Sequence, residues 1–448
     1  MKKLSFLMAI VLLVLLIVSC NTVSDGVWVM GFASRELVVD DVFSDTYYVA
    51  GYKNGNIATD ILDNQCVKAI YISAGKDELV LVSVDCVGLT SAQIEKIKNE
   101  LPAHFRSITH IVSTHTHAGV DTLGLWGEVA FDGKNESFMQ ELRLSTAEAI
   151  MEAYENKKEG RLYYGFSDNG IEKLQYDSRL PHVYDSLLHQ VRFEPYDESE
   201  GIRIINYAAH AESLRSDNSK ISADFPRYLC DAIERETGDR SLFVPGAIGG
   251  LIMTRRLTNE RGIEYPVEEN VVRTGELLAA AALSINNECE LAPSLGSVSE
   301  KIEIPLDNTI FVAMGGLGIL DNKIVRGSNS EYGLAVITSV SLLQLGDLSV
   351  VCIPGELFPE LAYGKGELLG VKSTLDEMID GDFIVAGLFD DEIGYIVPPS
   401  DFVLNEEAPY VSSVEGSDEN HYEETNSLGP LSAECILDGV QDLINKIK

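Results

Sequence analysis

An α/β fold, with mixed β-sheets layered against flanking helices in a single large domain, is what this 448-residue chain predicts from three observations. Short apolar runs of strand length recur along it, helix-length amphipathic or alanine-rich segments alternate with them, and no long Pro/Ser/Gly linker or fixed-period repeat interrupts residues 26–448. A hydrophobic content of 45% with 23% charged residues suits a sizeable core rather than a disordered chain.

The first element is not part of that fold. Lys2-Lys3 precedes an almost wholly apolar run from Leu4 to Val18, which ends in Ser19-Cys20 and resembles a bacterial lipobox. Residues 1–19 then read as a lipoprotein signal peptide, Cys20 as the lipidated N-terminus and residues 20–26 as a tether, which places the protein outside the cytoplasm and anchored to a membrane. The alternative is an uncleaved anchor, for which the run falls short of the roughly 20 residues of a spanning helix.

Strand-like runs follow at Val67–Ser73, Leu79–Val84, Thr109–Thr114, Leu187–Phe193, Ile202–Ala208, Leu242–Val244, Gly333–Leu345 and Ser349–Ile353. Between them, Ser91–Glu100 is amphipathic, Glu141–Asn156 is rich in Ala and Glu, Val267–Ile285 ends in the Ala279–Ala282 run, and Ser432–Ile447 closes the chain. Residues 390–430 are polar, acidic and irregular, and loops of that length in compact domains are usually functional or disordered.

Lys and Arg number 34 against 70 Asp and Glu, a formal charge of −36, so nucleic acid is not an expected partner. The default reading of the acidity is solubility. Six cysteines remain after Cys20, without a C-x-x-C pair; Cys86 and Cys352 sit in strand-like surroundings and read as buried free thiols.

Chemistry first shows at Ser113-Thr114-His115-Thr116-His117-Ala118-Gly119, where a strand-like run ends in two histidines. On a strand, positions i and i+2 share a face, so His115 and His117 are expected side by side, as metal ligands or as hydrogen-bonded polar residues. A second strand ends at His210, and a third leads through Pro354-Gly355 to Glu356, with a helix-like stretch over 357–369. An acidic residue at a helix start also complements the helix dipole, but two histidines and a carboxylate from three strand ends have the His₂Glu composition of catalytic zinc sites.

These residues form an ordered set that resembles the neutral/alkaline, non-lysosomal ceramidase family, from about residue 27 to the end. The set comprises Thr114-His115-Thr116-His117-Ala118-Gly119, Asn206 to His210, Pro354-Gly355-Glu356, Gly394-Tyr395-Ile396-Val397-Pro398, and Tyr422-Glu423-Glu424 with Gly429-Pro430. The resemblance implies a zinc hydrolase domain over 27–448, the catalytic domain alone, without the immunoglobulin-like domain of longer members. It implies one Zn²⁺ held by His115, His210, Glu356 and Tyr395. It also implies catalytic roles for His117, Tyr422 and Arg179: His117 to shuttle a proton to the leaving amine, Tyr422 to donate to the developing oxyanion, and Arg179 near the site or else in a surface salt bridge.

The implied reaction is attack of a metal-activated water on the linear amide of an N-acyl lipid such as ceramide. One departure bears on it: the family's S-N-x-G-D segment corresponds to Gly246-Ala247-Ile248-Gly249-Gly250, which lacks the serine and so favours water as nucleophile. Another small amide or an ester, or a non-catalytic metal-retaining surface lipoprotein, are the alternatives.

Overall fold

The computed structural model describes residues 26–39, 41–327, 329–364, 370–415 and 420–447, and the signal peptide, Cys20 and all but the last residue of the tether lie outside these. Two β-sheets face each other and carry helices on their outer faces. The larger sheet has nine strands: β1 (Trp28–Leu37), β2 (Gln65–Ala74), β3 (Asp77–Val84), β4 (Thr109–Ser113), β5 (Lys158–Ser167), β6 (Leu188–Pro195), β7 (Ile202–Tyr207), β8 (Arg240–Pro245) and β9 (Cys289–Leu291). Their spatial order is β8-β7-β6-β5-β1-β2-β3-β4, with β9 pairing β5; the two end pairs, β8 with β7 and β3 with β4, are parallel and the rest antiparallel. The smaller sheet has β10 (Leu295–Pro305), β11 (Ile324–Arg326), β12 (Leu334–Leu345), β13 (Leu348–Cys352) and β14 (Phe383–Ala386), in the order β10-β12-β13-β14 with β11 on β12.

Side-chain alternation builds the layers. In β2, Val67, Ala69 and Tyr71 pack outward against Phe138, Leu142 and Ile150 of helix Glu136–Glu155. Ile70, Ile72 and Ala74 point the other way, into a core shared with Leu343, Leu348, Val350 and Ile384 of the second sheet. A strand buried on both faces reads as a continuous apolar run, which is why this one was legible. Helices Phe225–Thr237 and Val267–Leu283 cover β7 and β8, and Ser432–Ile447 covers the second sheet through Ile436, Val440 and Leu443. Each such buried aliphatic side chain is worth about 1.5–3 kcal/mol.

The expected strands and helices are present with ends shifted by a few residues, and several elements were not expected. Strands β1, β5 and β10 carry charged or glycine residues in their runs, and their identity comes from long-range partners such as the 11-residue β10–β12 ladder. Helix Phe225–Thr237 does have local signals: the Asp224 side chain accepts from the Phe225 N–H, Pro226 lies in the first turn and Gly238 ends the helix at φ 80°. The helix expected over 357–369 is shorter, Pro359–Tyr363, and residues 365–369 lie outside the described residues. Cys86 and Cys352 are buried free thiols, as expected. No described helix is long and apolar enough to cross a membrane.

The acidic stretch departs from its solubility reading. Asp391, Glu392, Glu423 and Glu424 are buried and Asp390 is mostly buried, because their carboxylates serve as internal ties. Asp390 accepts from the Ile111 N–H at 3.0 Å, pairs with His110 Nδ1 at 2.5 Å and lies 3.6 Å from Lys98 Nζ, so it fastens the loop to β4. Burial alone would raise its pKa, but Lys98 and His110 override that and hold it at about 2, below the ordinary 3.8. A depressed carboxylate pKa contributes stability above about pH 4 that is lost as pH falls toward 2. Asp390→Asn should therefore cost about 3–5 kcal/mol in urea unfolding at pH 7 and flatten the acid limb of the stability curve between about pH 4 and pH 2; an unchanged midpoint at both pH values would show that this anchor is not a structural tie.

Candidate metal centre

The side chains singled out at strand ends converge at the carboxyl ends of β4, β7 and β13. This is the edge where the parallel strand pairs of α/β sheets place their ligands. Beyond β4, however, strand geometry does not continue: His115 adopts φ 62°, a left-handed conformation rare for a residue with a Cβ. The pair is therefore not two alternate residues of a strand, and the expected reason for their closeness is replaced. A left-handed turn, held by Thr114 N–H to Val84 O (2.9 Å) and Thr116 N–H to Cys86 O (3.2 Å), swings the rings together, with His117 Nε2 3.0 Å from His115 Nε2.

Two backbone carbonyls orient the ligating rings. His115 Nδ1 donates to Val87 O at 2.6 Å and His210 Nδ1 donates to Ile252 O at 2.8 Å, which leaves each Nε2 facing inward as a lone pair. Glu356 Oε2 lies 2.7 Å from His210 Nε2 and 3.5 Å from His115 Nε2, and the Tyr395 hydroxyl is 3.3 Å from His210 Nε2. Glu356 and Tyr395 are themselves partners in a short parallel ladder, so one backbone pairing delivers both. His115, His117 and His210 form a buried group able to hold a metal ion, the only such group of three or more His, Cys, Asp or Glu among the described residues.

The donor set fits a dication. Two neutral imidazole lone pairs and a carboxylate oxygen repel one another at these distances unless a cation lies between them. Ligands about 2.0–2.1 Å from one tetrahedral ion are about 3.3 Å apart, which matches the 2.7–3.5 Å spread here. Burial opposes charge on His115, but the Glu356 carboxylate overrides it and holds the pKa up at about 9. Burial would raise Glu356, yet His115 and His210 hold it far below the ordinary carboxylate range. Burial, with Glu356 next, pushes the Tyr395 phenol well above 10, so only a strong local positive charge ionises it.

His117 differs from the two pinned rings. Its Nδ1 has no hydrogen-bond partner among the described residues and lies 3.6 Å from Glu212 Oε2, which accepts from the Tyr52 hydroxyl. Burial, then the neighbouring His115 and His210, push its pKa well below 6.5, so it stays neutral. Its ring is seated against Gly51 (φ 107°), where a Cβ would come within 2.5 Å of His117 Cβ and Cγ.

Tyr422 lies at the pocket, edge-to-face with Tyr395 at 6.5 Å between ring centroids. Arg179 is not on the surface. It is 1% exposed, and its guanidinium donates to Asp401, Glu423 and Glu424 at 2.8–3.1 Å and to His421 Nδ1 at 2.9 Å. These bonds tie it to the segment that carries Tyr422. The segment 246–250 runs beside Glu356, with Gly249 N–H donating to Leu357 O at 2.9 Å, and brings no hydroxyl.

Sequence reasoning missed Gly51, Glu212 and Glu392, and also the apolar wall of Leu123, Leu125, Trp126, Phe311 and Leu320. Glu212 stands two residues after His210 and Glu392 three before Tyr395, the only local signals either carried.

No family model matches the chain, and no curated protein matches it in sequence. Its fold is similar to that of neutral ceramidase from Pseudomonas aeruginosa, with a TM-score of 0.71 and 15% identity over 94% of this chain and 75% of that one. It is equally similar to a ceramidase complexed with C2, at a TM-score of 0.71 and 14% identity over the same shares. The resemblance in the motifs thus holds at the level of a neutral ceramidase-like fold.

Two substitutions test the positioning. Gly51→Ala should displace the His117 ring, read as a shift of its imidazole NMR resonances, while the protein stays folded, because a Cβ at that position would overlap His117 Cβ and Cγ. Arg179→Ala leaves buried carboxylates unpaired and should cost about 3–5 kcal/mol of stability by denaturant unfolding; a near-neutral value would mean water or another cation replaces the guanidinium.

Proposed function

We propose that this chain is a zinc-dependent amidohydrolase that cleaves the linear amide bond of an N-acyl lipid such as ceramide, with residues 27–448 as its catalytic domain. The observation that carries the reading is the convergence of three buried imidazole Nε2 atoms with Glu356 and Tyr395 on a pocket whose walls include Leu123, Leu125, Trp126 and Phe311. The structural neighbours titled ceramidase support the same choice. The apolar run ending in Cys20 supports a lipid-tethered, extracytoplasmic location, where a lipid substrate is met at the membrane face.

In this reading His115, His210, Glu356 and Tyr395 hold the ion, and His117 is left free because no backbone carbonyl pins its Nδ1. Zinc bound there supplies Lewis acidity and a water that is nucleophilic at neutral pH. His117, kept neutral, accepts a proton at Nε2 from the attacking water and returns it to the nitrogen of the departing amine. The Tyr422 hydroxyl donates to the carbonyl oxygen as charge develops on it. The apolar wall takes the acyl chain and excludes bulk water from the reacting bond. Water is the nucleophile because residues 246–250 offer no hydroxyl.

Metal analysis of the purified protein, coupled to turnover of fluorogenic N-acyl amides, tests this directly. One zinc per chain is expected; His115→Ala and His210→Ala should lose metal and hydrolysis together. His117→Ala should retain metal and lose about 10²–10⁴-fold in kcat, the usual scale of general acid–base catalysis. Protein that is metal-free and unresponsive to added zinc would sink the hydrolase reading, whereas stable zinc without turnover on any N-acyl compound would favour a metal-retaining binding lipoprotein.

A further inference from the structure

One acidic side chain in the pocket is used by none of these roles. Glu392 is 7% exposed and lines the same pocket as His115, His117, Glu356 and Tyr395. Its Oε1 accepts from the Gly394 N–H at 2.8 Å, while its Oε2 is buried with no hydrogen-bond partner among the described residues. The residue is held firmly. Its N–H donates to Asp391 Oδ1 at 3.0 Å and its carbonyl accepts from Asn322 Nδ2 at 3.1 Å. Its Cγ packs so closely on Gly88 that a Cβ there would come within 2.7 Å.

A buried carboxyl oxygen without a partner is expensive, and a rigid one that faces a pocket is satisfied by what enters the pocket. The described lining residues include no Lys or Arg to neutralise it. We propose that Glu392 is the specificity-determining residue for the amine half of the substrate: its Oε2 takes a hydroxyl of an N-acyl amino alcohol, in a pocket whose wall offers a carboxylate no Lys or Arg. This rests on the hydrolase reading above and deepens it.

A hydroxyl both donates and accepts, so it satisfies Oε2 whether or not the carboxyl holds a proton. An alkylamine leaves that oxygen bare. A carboxylate brings a second anion beside Glu356 with no Lys or Arg on the pocket wall to pair it, the like-charge arrangement that interfaces use to reject wrong partners.

Three dodecanoyl amides of matched size separate the cases with zinc-loaded full chain: the ethanolamide, the ethylamide and the glycine conjugate. The wild-type kcat/KM should favour the ethanolamide by about 10-fold or more over the ethylamide and by about 100-fold or more over the glycine conjugate. Glu392→Leu should collapse the ethanolamide-to-ethylamide ratio to within about 3-fold of unity by raising KM for the ethanolamide. Glu392→Gln, whose amide still bonds a hydroxyl, should keep that ratio. Gly88→Ala, which crowds the side chain from behind, provides a second route if Glu392→Leu does not fold. Equal wild-type rates on all three amides, or a Glu392→Leu loss of kcat that is uniform across them, would overturn this inference and leave the hydrolase reading standing. Absence of turnover on every amide from zinc-loaded protein would overturn both.

Discussion

Everything at the centre of this molecule follows from one electrostatic constraint: buried acceptors that repel one another are held at contact distance. The Nε2 atoms of His115 and His210 both face the buried Glu356 carboxylate, at 3.5 and 2.7 Å. Such an arrangement needs a stiff scaffold. The scaffold is stiff because each ring's second nitrogen is tied to a main-chain carbonyl and each carbonyl belongs to a segment that follows a strand. The left-handed backbone at His115 is the local strain accepted to bring the second ring in.

The acidic loop makes the site whole. Asp390 fastens its start to the strand before His115, the Glu356–Tyr395 ladder crosses it, and Arg179 gathers Asp401, Glu423 and Glu424 near its end. A run that looks like a solvated surface is thus mostly an internal harness, in which carboxylates spend their charge on backbone N–H groups, an arginine and a histidine. Its acidity serves placement of Tyr395 and Tyr422, and it also puts Glu392 in the pocket.

The two neighbouring histidines show how environment separates identical side chains. His115 has a pinned Nδ1 and a carboxylate near its Nε2, the surroundings of a ligand. His117 has neither, and burial keeps it neutral beside its charged neighbours, the condition for moving a proton. Glu212, with its tyrosine partner, sits behind His117 at a distance where it can steady an imidazolium without claiming the ring.

Residue types and local pattern by themselves determined the layered α/β class, the doubly buried strands such as Gln65–Ala74, and the inventory of nitrogen and oxygen ligands at strand ends. Those signals are legible because burial on two faces writes a continuous apolar run and because histidines after such runs are chemically conspicuous. Strands Trp28–Leu37, Lys158–Ser167 and Leu295–Pro305 were not legible, since ladders with distant segments define them more than their own composition does. Tertiary structure alone decided that His115 meets His117 through a left-handed turn rather than a strand face, that Arg179 is buried among carboxylates, and that Glu392 faces the pocket with a free oxygen. The physical reason is range: propensity and periodicity act over a few residues, whereas a candidate metal site depends on angstrom distances between groups far apart in the chain, which only packing sets.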